Sequence, residues 1–318
     1  MFRILFASAL AAAVFTGCGA KSSSPQASAA EEEIQAADVP AFSADSAMLY
    51  LSKQMEFGPR VPNTDAHRRA ADWLVAELSR HGAKVTEQKA DLRAFDGTLL
   101  HARNIFGQFN PEMPSRLLLL AHYDCRPWAD EDPDPANHKK PVPGANDGAS
   151  GVAVLLETAR QMAARNPGRG VDILFVDAED YGTEGDEDSW ALGAKYFAEN
   201  PILPGYRPEQ AILLDMVGGK DAVFPAEYFS RQAAPDLDDA FRSAARAAGY
   251  ADRFPMRMGG AITDDHVQLI EAGIPAIDII EYKDGFNPVW HTVSDDLEHI
   301  SPETLGAVGS SLLYFIYR

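Results

Sequence analysis

The sequence is poor in cysteine, in positive charge and in long apolar runs, and each shortage excludes something. Cysteine occurs only twice in 318 residues, as Cys18 and Cys125. Against 47 acidic residues stand 28 basic ones, a formal charge of −19. Such a field repels phosphate backbones, which argues against nucleic acid as a partner. No GxGxxG, no P-loop and no internal repeat occurs, so a nucleotide fold has little support. The apolar stretch near the N-terminus, "ILFASALAAAVFTG", is too short for a comfortable transmembrane helix. What remains is ordinary for a globular protein: 46% apolar and 24% charged residues.

That N-terminal stretch follows Met1-Phe2-Arg3 and suits the h-region of a signal peptide, residues 1–17. It ends in "FTGC", which resembles a bacterial lipobox with Cys18 as the lipidated residue. The plainer alternative is an ordinary signal peptide that contains a cysteine. Cleavage before Cys18 removes Arg3 and takes the charge from −19 to −20. Cys125 is then the single unmodified thiol, so no intramolecular disulfide is expected. Residues 18–41 are small, polar and acidic without apolar period, the pattern of a flexible tether. The expected location is that of an exported lipoprotein at the periplasmic face of a bacterial membrane, the outer membrane first. The folded domain is expected over residues 42–318.

Within that domain, "DSAMLYLSKQMEF" and "TDAHRRAADWLVAELSRHG" carry helical spacing. Strand-like runs follow: "AKVTEQKADLRAF", "ARNIFGQFN", "RLLLLAHYD", "VDILFVDA", "QAILLDMVG" and "PAIDIIEY". Helical patterns occupy roughly 149–165, 188–198, 235–248, 264–272 and 302–316. Several strands are continuous apolar runs, as expected where helices cover both faces of a sheet. The pattern predicts one α/β domain with a mixed, mostly parallel, twisted sheet flanked by helices.

In open α/β sheets, ligands gather beyond the carboxyl ends of the strands. Here those ends carry His122 and Asp124, Glu179 and Asp180, and Asp215. Asp147 stands at a Gly-rich turn before a helix, and His291 comes from a late loop in "PVWHTVSDD". Each has a bland reading: Asp147 as a helix cap, His291 as a surface histidine, Asp215 as a turn former, Glu179 as a solvated acid. All of these readings must hold at once for the site to vanish. Carboxylates converging on one sheet edge repel one another unless a cation neutralises them. Oxygen and nitrogen ligands without thiolate favour zinc with an open position for substrate. Cys125 does not fit that ligand pattern and reads as a structural or incidental thiol.

The stretch "AHYDCRPWADEDPDPANHKKPVPGANDGASGVAVLLE", followed in order by "FVDAEDYG", "LLDMVGG", "TDDH" and "PVWHT", resembles the zinc-dependent aminopeptidase family. That M28-like family includes bacterial leucyl aminopeptidases and the glutaminyl cyclases, and the stretch is very similar to the equivalent one in bacterial cyclases of the animal type. The resemblance covers roughly residues 45–318. It implies that Asp147, Asp180 and His291 bind one Zn2+, with Glu179 as general acid–base. It places Asp264 and Asp215 in the acid network beside Glu179, and Trp290 in the substrate pocket. The family more often carries Glu where Asp180 stands, so a shorter ligand must reach the metal. Asp278 stands where the animal enzymes carry a supporting His. No role for Asp177 follows.

The aminopeptidases of the family hold two zinc ions, the second on residues matching His122 and Asp215, so a dinuclear peptidase stays open. Three features favour the cyclase: Trp rather than Tyr before the ligand His, the acid pair of "TDDH", and the long loop between Asp124 and Asp147. The expected reaction converts the N-terminal Gln of peptides and proteins to pyroglutamate with release of ammonia. A catalytically silent, lipid-anchored binding protein is the alternative of another class.

Overall fold

The computed structural model describes residues 39–318. The expected signal segment, Cys18 and the tether up to residue 38 lie outside the described residues. Ser43 opens the first helix by accepting the Ser46 N–H at 3.1 Å. Helices α1 (Ala44–Met55) and α2 (Asp65–Arg80) precede the sheet, and Thr64 caps α2 in the same way.

Six strands follow: β1 (Lys84–Arg93), β2 (Leu99–Phe109), β3 (Arg116–His122), β4 (Gly170–Val176), β5 (Gln210–Asp215) and β6 (Ala276–Ile280). Their order across the sheet is β1-β2-β4-β3-β5-β6. Strands β4, β3, β5 and β6 run parallel, while β2 pairs antiparallel with β1 and β4. The sheet is therefore mixed and mostly parallel, as the alternation of runs predicts. Every residue of β3, β4 and β6 is buried, whereas the edge strand β1 alternates exposed and half-buried residues.

That burial comes from helices on both faces. One face presents Leu117, Leu119, Ile173, Phe175 and Ile212 to α1, α2, α3 (Ala149–Ala164), α6 (Pro235–Ala247) and α8 (Pro302–Ile316). The opposite face presents Leu118, Leu120, Leu174 and Leu213 to α4 (Leu192–Glu199) and α7 (Asp265–Glu271). Successive strand residues point to opposite faces, so a continuous apolar run feeds two cores at once. One helix escaped the sequence pattern: α5 (Tyr228–Ala233) has six residues and depends on Glu227, whose carboxylate accepts the Phe229 and Ser230 N–H groups. So short an element shows no usable period. Among the described residues, no helix is long and apolar enough to cross a membrane.

Parallel strands bring their carboxyl ends to one edge. There the turn after Asp147 must pass very close to β3 and β5. A Cβ on Gly148 would collide with the His122 ring, and one on Gly151 with the Leu214 carbonyl. Glycine at these two positions lets α3 start against the sheet.

Candidate metal centre and active site

His122, the last residue of β3, points its Nε2 at two acids: Asp147 Oδ1 at 2.9 Å and Asp215 Oδ1 at 3.2 Å. The other oxygen of Asp147 lies 3.5 Å from His291 Nε2, which is 3.1 Å from Asp180 Oδ1. Asp147 thus stands between two clusters, His122–Asp147–Asp215 and Asp147–Asp180–His291, each with its ligand atoms within 4.8 Å of one another. Its reading as a helix cap fails, because α3 is capped by Gly148 with no side-chain hydrogen bond.

The scaffold holds these groups through their backbone. Asp295 accepts the N–H groups of Asn146 and Asp147 at 2.8 and 3.1 Å. Asp124 accepts those of Glu179 and Asp180, both at 3.2 Å, and lies 3.4 Å from His122 Nδ1. Ala178, Met216 and His291 have φ of 55°, 45° and 53°, a left-handed conformation that costs energy for a residue with a Cβ. Each sits at or beside a member of the site, where packing holds it.

Burial and like charge set the protonation of the acids. Burial, and next the charge of Asp264, push Glu179 well above the usual carboxylate range. Asp264 is likewise raised, by burial and then by Asp215 and Asp265. Burial would lower His291, but Asp180 and Asp147 outweigh it and bring the imidazole to about 9. Burial would raise Asp147, but hydrogen bonds from His122 and His291 hold it well below its ordinary value. These are the responses of a dry cleft crowded with acids, which needs protons or a cation.

Of the two clusters that share Asp147, a cation fits the one with Asp180 and His291 better. Both carboxylate oxygens of Asp180 are fully buried and accept no hydrogen bond. Asp215, in the other cluster, already accepts from His122 and from the Met216 N–H. Two carboxylates and an imidazole, spaced 3.1 and 3.5 Å across Asp147–His291–Asp180, suit ligands that each reach about 2 Å to a shared zinc. Despite its length, Asp180 thus presents a carboxylate within reach of a metal shared with Asp147 and His291.

The cavity beside this cluster has a volume of about 350 Å³. Asp147, Glu179, Asp215, Asp264, Trp290 and His291 line it, so six of the eight residues singled out from the sequence meet there. His122 and Asp180 stand behind them in the clusters. Trp290 stacks on His291 with ring centroids 3.7 Å apart and on Phe286 at 4.4 Å. Asp264 caps α7 through one oxygen, bonded to the Asp265 N–H at 2.6 Å, and its Oδ2 has no partner. Behind it, His266 pairs with Glu227 at 3.0 Å, and Asp278 is buried with neither oxygen hydrogen-bonded.

Several contributors escaped the sequence. Arg126 is buried, forks onto Asp130 at 2.7 and 2.5 Å, and donates to the carbonyls of Asp180 and Gly182 at 3.2 Å. Its guanidinium lies between Trp128 and Trp190, 5.2 and 4.9 Å from the ring centroids. Trp190 also faces His291 at 6.1 Å. Arg126, Trp128 and Asp130 lie in the long loop that drew notice as a whole, and Trp190 lies just ahead of α4 rather than inside the helix expected from residue 188, so no periodic signal marked any of them. Asp177 proves structural: it is fully buried and bonded to His67 at 2.8 Å, Tyr123 at 2.8 Å and the Arg103 N–H at 2.7 Å. Cys125 is fully buried, and burial pushes its thiol to about 12.

In this mixed sheet the parallel strands deliver carboxylates and histidines to one edge, an arrangement suited to holding a metal ion beside an open cavity. Residues 104–316 match peptidase family M28, and the chain belongs to that family. It is 49% identical to Bacteroides thetaiotaomicron glutaminyl cyclase bound to N-acetylhistamine, with a TM-score of 0.87 over 88% of this chain and 99% of that one. It is 52% identical to a Zn-dependent exopeptidase from Parabacteroides distasonis, with a TM-score of 0.86 and the same coverage, 88% and 99%. Aminopeptidase YwaD of Bacillus subtilis is 27% identical over 299 residues, 89% of this chain and 59% of that protein. The chain spans less than two thirds of the length of the first curated relatives it matches, 59%, 65% and 64%.

Proposed function

We propose that the protein is a zinc-dependent glutaminyl cyclase that binds one Zn2+ on Asp147, Asp180 and His291. The observation that carries this reading is the pairing of Glu179 and Asp264 in one aromatic-walled pocket beside the orphaned carboxylate of Asp180. Likeness to the B. thetaiotaomicron cyclase supports it. The zinc, when bound, supplies Lewis-acid polarisation of a carbonyl.

The substrate is a peptide with N-terminal Gln. Glu179 takes a proton from the α-amine as its nitrogen attacks the γ-carbonyl carbon, and a five-membered ring closes. The C–N bond to the amide nitrogen then breaks, and Glu179 returns the proton so that ammonia leaves. Asp264, whose Oδ2 is unpartnered, accepts a hydrogen bond from the departing NH2. The nucleophile is already tethered to its carbonyl, so the pocket mainly selects one rotamer. Trp290, Trp190, Phe286 and Ile262 exclude water, which would otherwise divert the reaction to Glu.

Purified protein is expected to hold one zinc per chain and to release ammonia from Gln-peptides, without cleaving Leu-arylamide. Two zincs with Leu-arylamide cleavage would instead establish the aminopeptidase, a reading kept open by the second cluster on His122 and Asp215. Silence toward both substrates would leave a binding protein.

The same reading places the enzyme at the periplasmic face of a bacterial membrane, anchored through lipidated Cys18. Support for this is the signal-like N-terminus and "FTGC". Cells expressing the chain are expected to incorporate labelled palmitate, and a Cys18→Ser variant to lose the label. Cys125, buried and raised to about 12, should resist Ellman's reagent until denaturation. Label retained in Cys18→Ser would refute the anchor.

A further inference from the structure

The pocket carries more acid than the chemistry uses. Glu131, Glu184 and Glu187 line the same cavity as Glu179 and Asp264 but are exposed, and none has an ion-pair partner among the described residues. They come from two separate segments, the long loop that includes Asp130 and the "TEGDEDSW" run before Trp190. The single arginine of the lining, Arg126, is 2% exposed and already committed to Asp130 and two carbonyls. It offers nothing to an incoming carboxylate. Deeper in, Asp264 is 3% exposed and keeps one oxygen unpartnered while lining the cavity, so a donor-bearing group is expected at the inner end.

A peptide whose first residue fills this cavity must lead its second and third residues out past these glutamates. We infer that the acidic mouth selects peptides with Lys or Arg directly after the N-terminal Gln and disfavours those with Asp or Glu. The inference rests on the cyclase reading for the identity of the first residue. Exposed like charges around a cleft focus their field, which raises the local concentration of a cationic substrate and weakens with salt. The glutamates sit outside the reacting groups, so the selection appears in binding and in kcat/KM more than in kcat.

The test uses three peptides, Gln-Arg-Ala-Ala, Gln-Ala-Ala-Ala and Gln-Glu-Ala-Ala, each as a C-terminal amide. Ammonia release by the wild-type chain is expected to rank them Arg, Ala, Glu in kcat/KM, with about tenfold between the extremes at low salt. Raising the salt should compress that range. In a Glu131→Gln/Glu184→Gln/Glu187→Gln variant the three values should converge, and in Glu184→Lys/Glu187→Lys the order should invert. Equilibrium binding of the same peptides to Glu179→Gln gives a readout that does not require turnover. Equal affinities and equal kcat/KM values would overturn the inference while leaving the cyclase intact. Graded affinity without any ammonia release would retire the cyclase and keep the acidic mouth.

Discussion

Glu179→Gln is expected to abolish ammonia release from Gln-peptides while zinc content stays at the wild-type level. In the proposed mechanism Glu179 exchanges a proton with the reacting amine; its side chain lines the pocket and belongs to neither cluster around Asp147. Gln keeps its size but cannot carry that proton. General acid–base catalysis of this kind contributes about 10²–10⁴-fold, so the residual rate should fall by at least that lower bound. The Glu179 and Asp180 N–H groups that donate to the Asp124 carboxylate are backbone donors and survive the exchange, so Asp180 stays in place. Asp180→Ala serves as the contrast, because it should lose zinc and activity together. Metal analysis beside single-turnover ammonia assays reads both. A fully active Glu179→Gln enzyme would remove Glu179 from the chemistry.

Arg116→Met is expected to give the largest loss of stability for a residue remote from the site. Arg116 opens β3 and is buried at the end of the sheet opposite the cavity. Its Nε and one terminal nitrogen bond Asp172 at 2.6 and 2.5 Å, and the fork also donates to the Asn110, Met113 and Phe109 carbonyls. Asp172 is fully buried and takes a further bond from Tyr206 at 2.8 Å. Removing one partner strands the other's charge in the interior, which costs about 3–5 kcal/mol. Thermal unfolding should therefore shift down by about 10 °C. The double variant Arg116→Met/Asp172→Leu should recover much of that loss, since no charge is then left unpaired. An unchanged Tm in the single variant would show that the pair contributes nothing.

Much of the fold was legible because burial on both faces leaves a visible mark. Runs such as "RLLLLAH" and "DILFV" feed two helical layers at once, and the turn chemistry at their ends isolates them. The strand order was not legible. Nothing in "ARNIFGQFN" says that β2 runs against β4, because pairing partners are chosen by the closing of the whole sheet. The six-residue α5 was invisible for a related reason: it forms around Glu227, whose carboxylate also meets the Ile262 N–H and His266 from distant parts of the chain.

The site divides in the same way. The order of residue types along the chain was enough to place acids and histidine at the sheet edge: Asp147 at its glycine turn, Glu179 and Asp180 after β4, Asp215 after β5, and His291 beside Trp290. Strand direction and loop length suffice for that. How the three acids within the four residues 177–180 divide their roles was settled by the folded contacts. Asp177 turns inward to His67 and Tyr123, Glu179 turns to the pocket, and Asp180 turns to His291. The same contacts set Arg126 against the Asp180 backbone and Trp190 against the His291 ring. Those outcomes depend on contacts between residues more than 50 positions apart, as in the Arg126–Asp180 bond, and a local pattern cannot encode them. Their directions follow from where packing leaves each buried charge a partner.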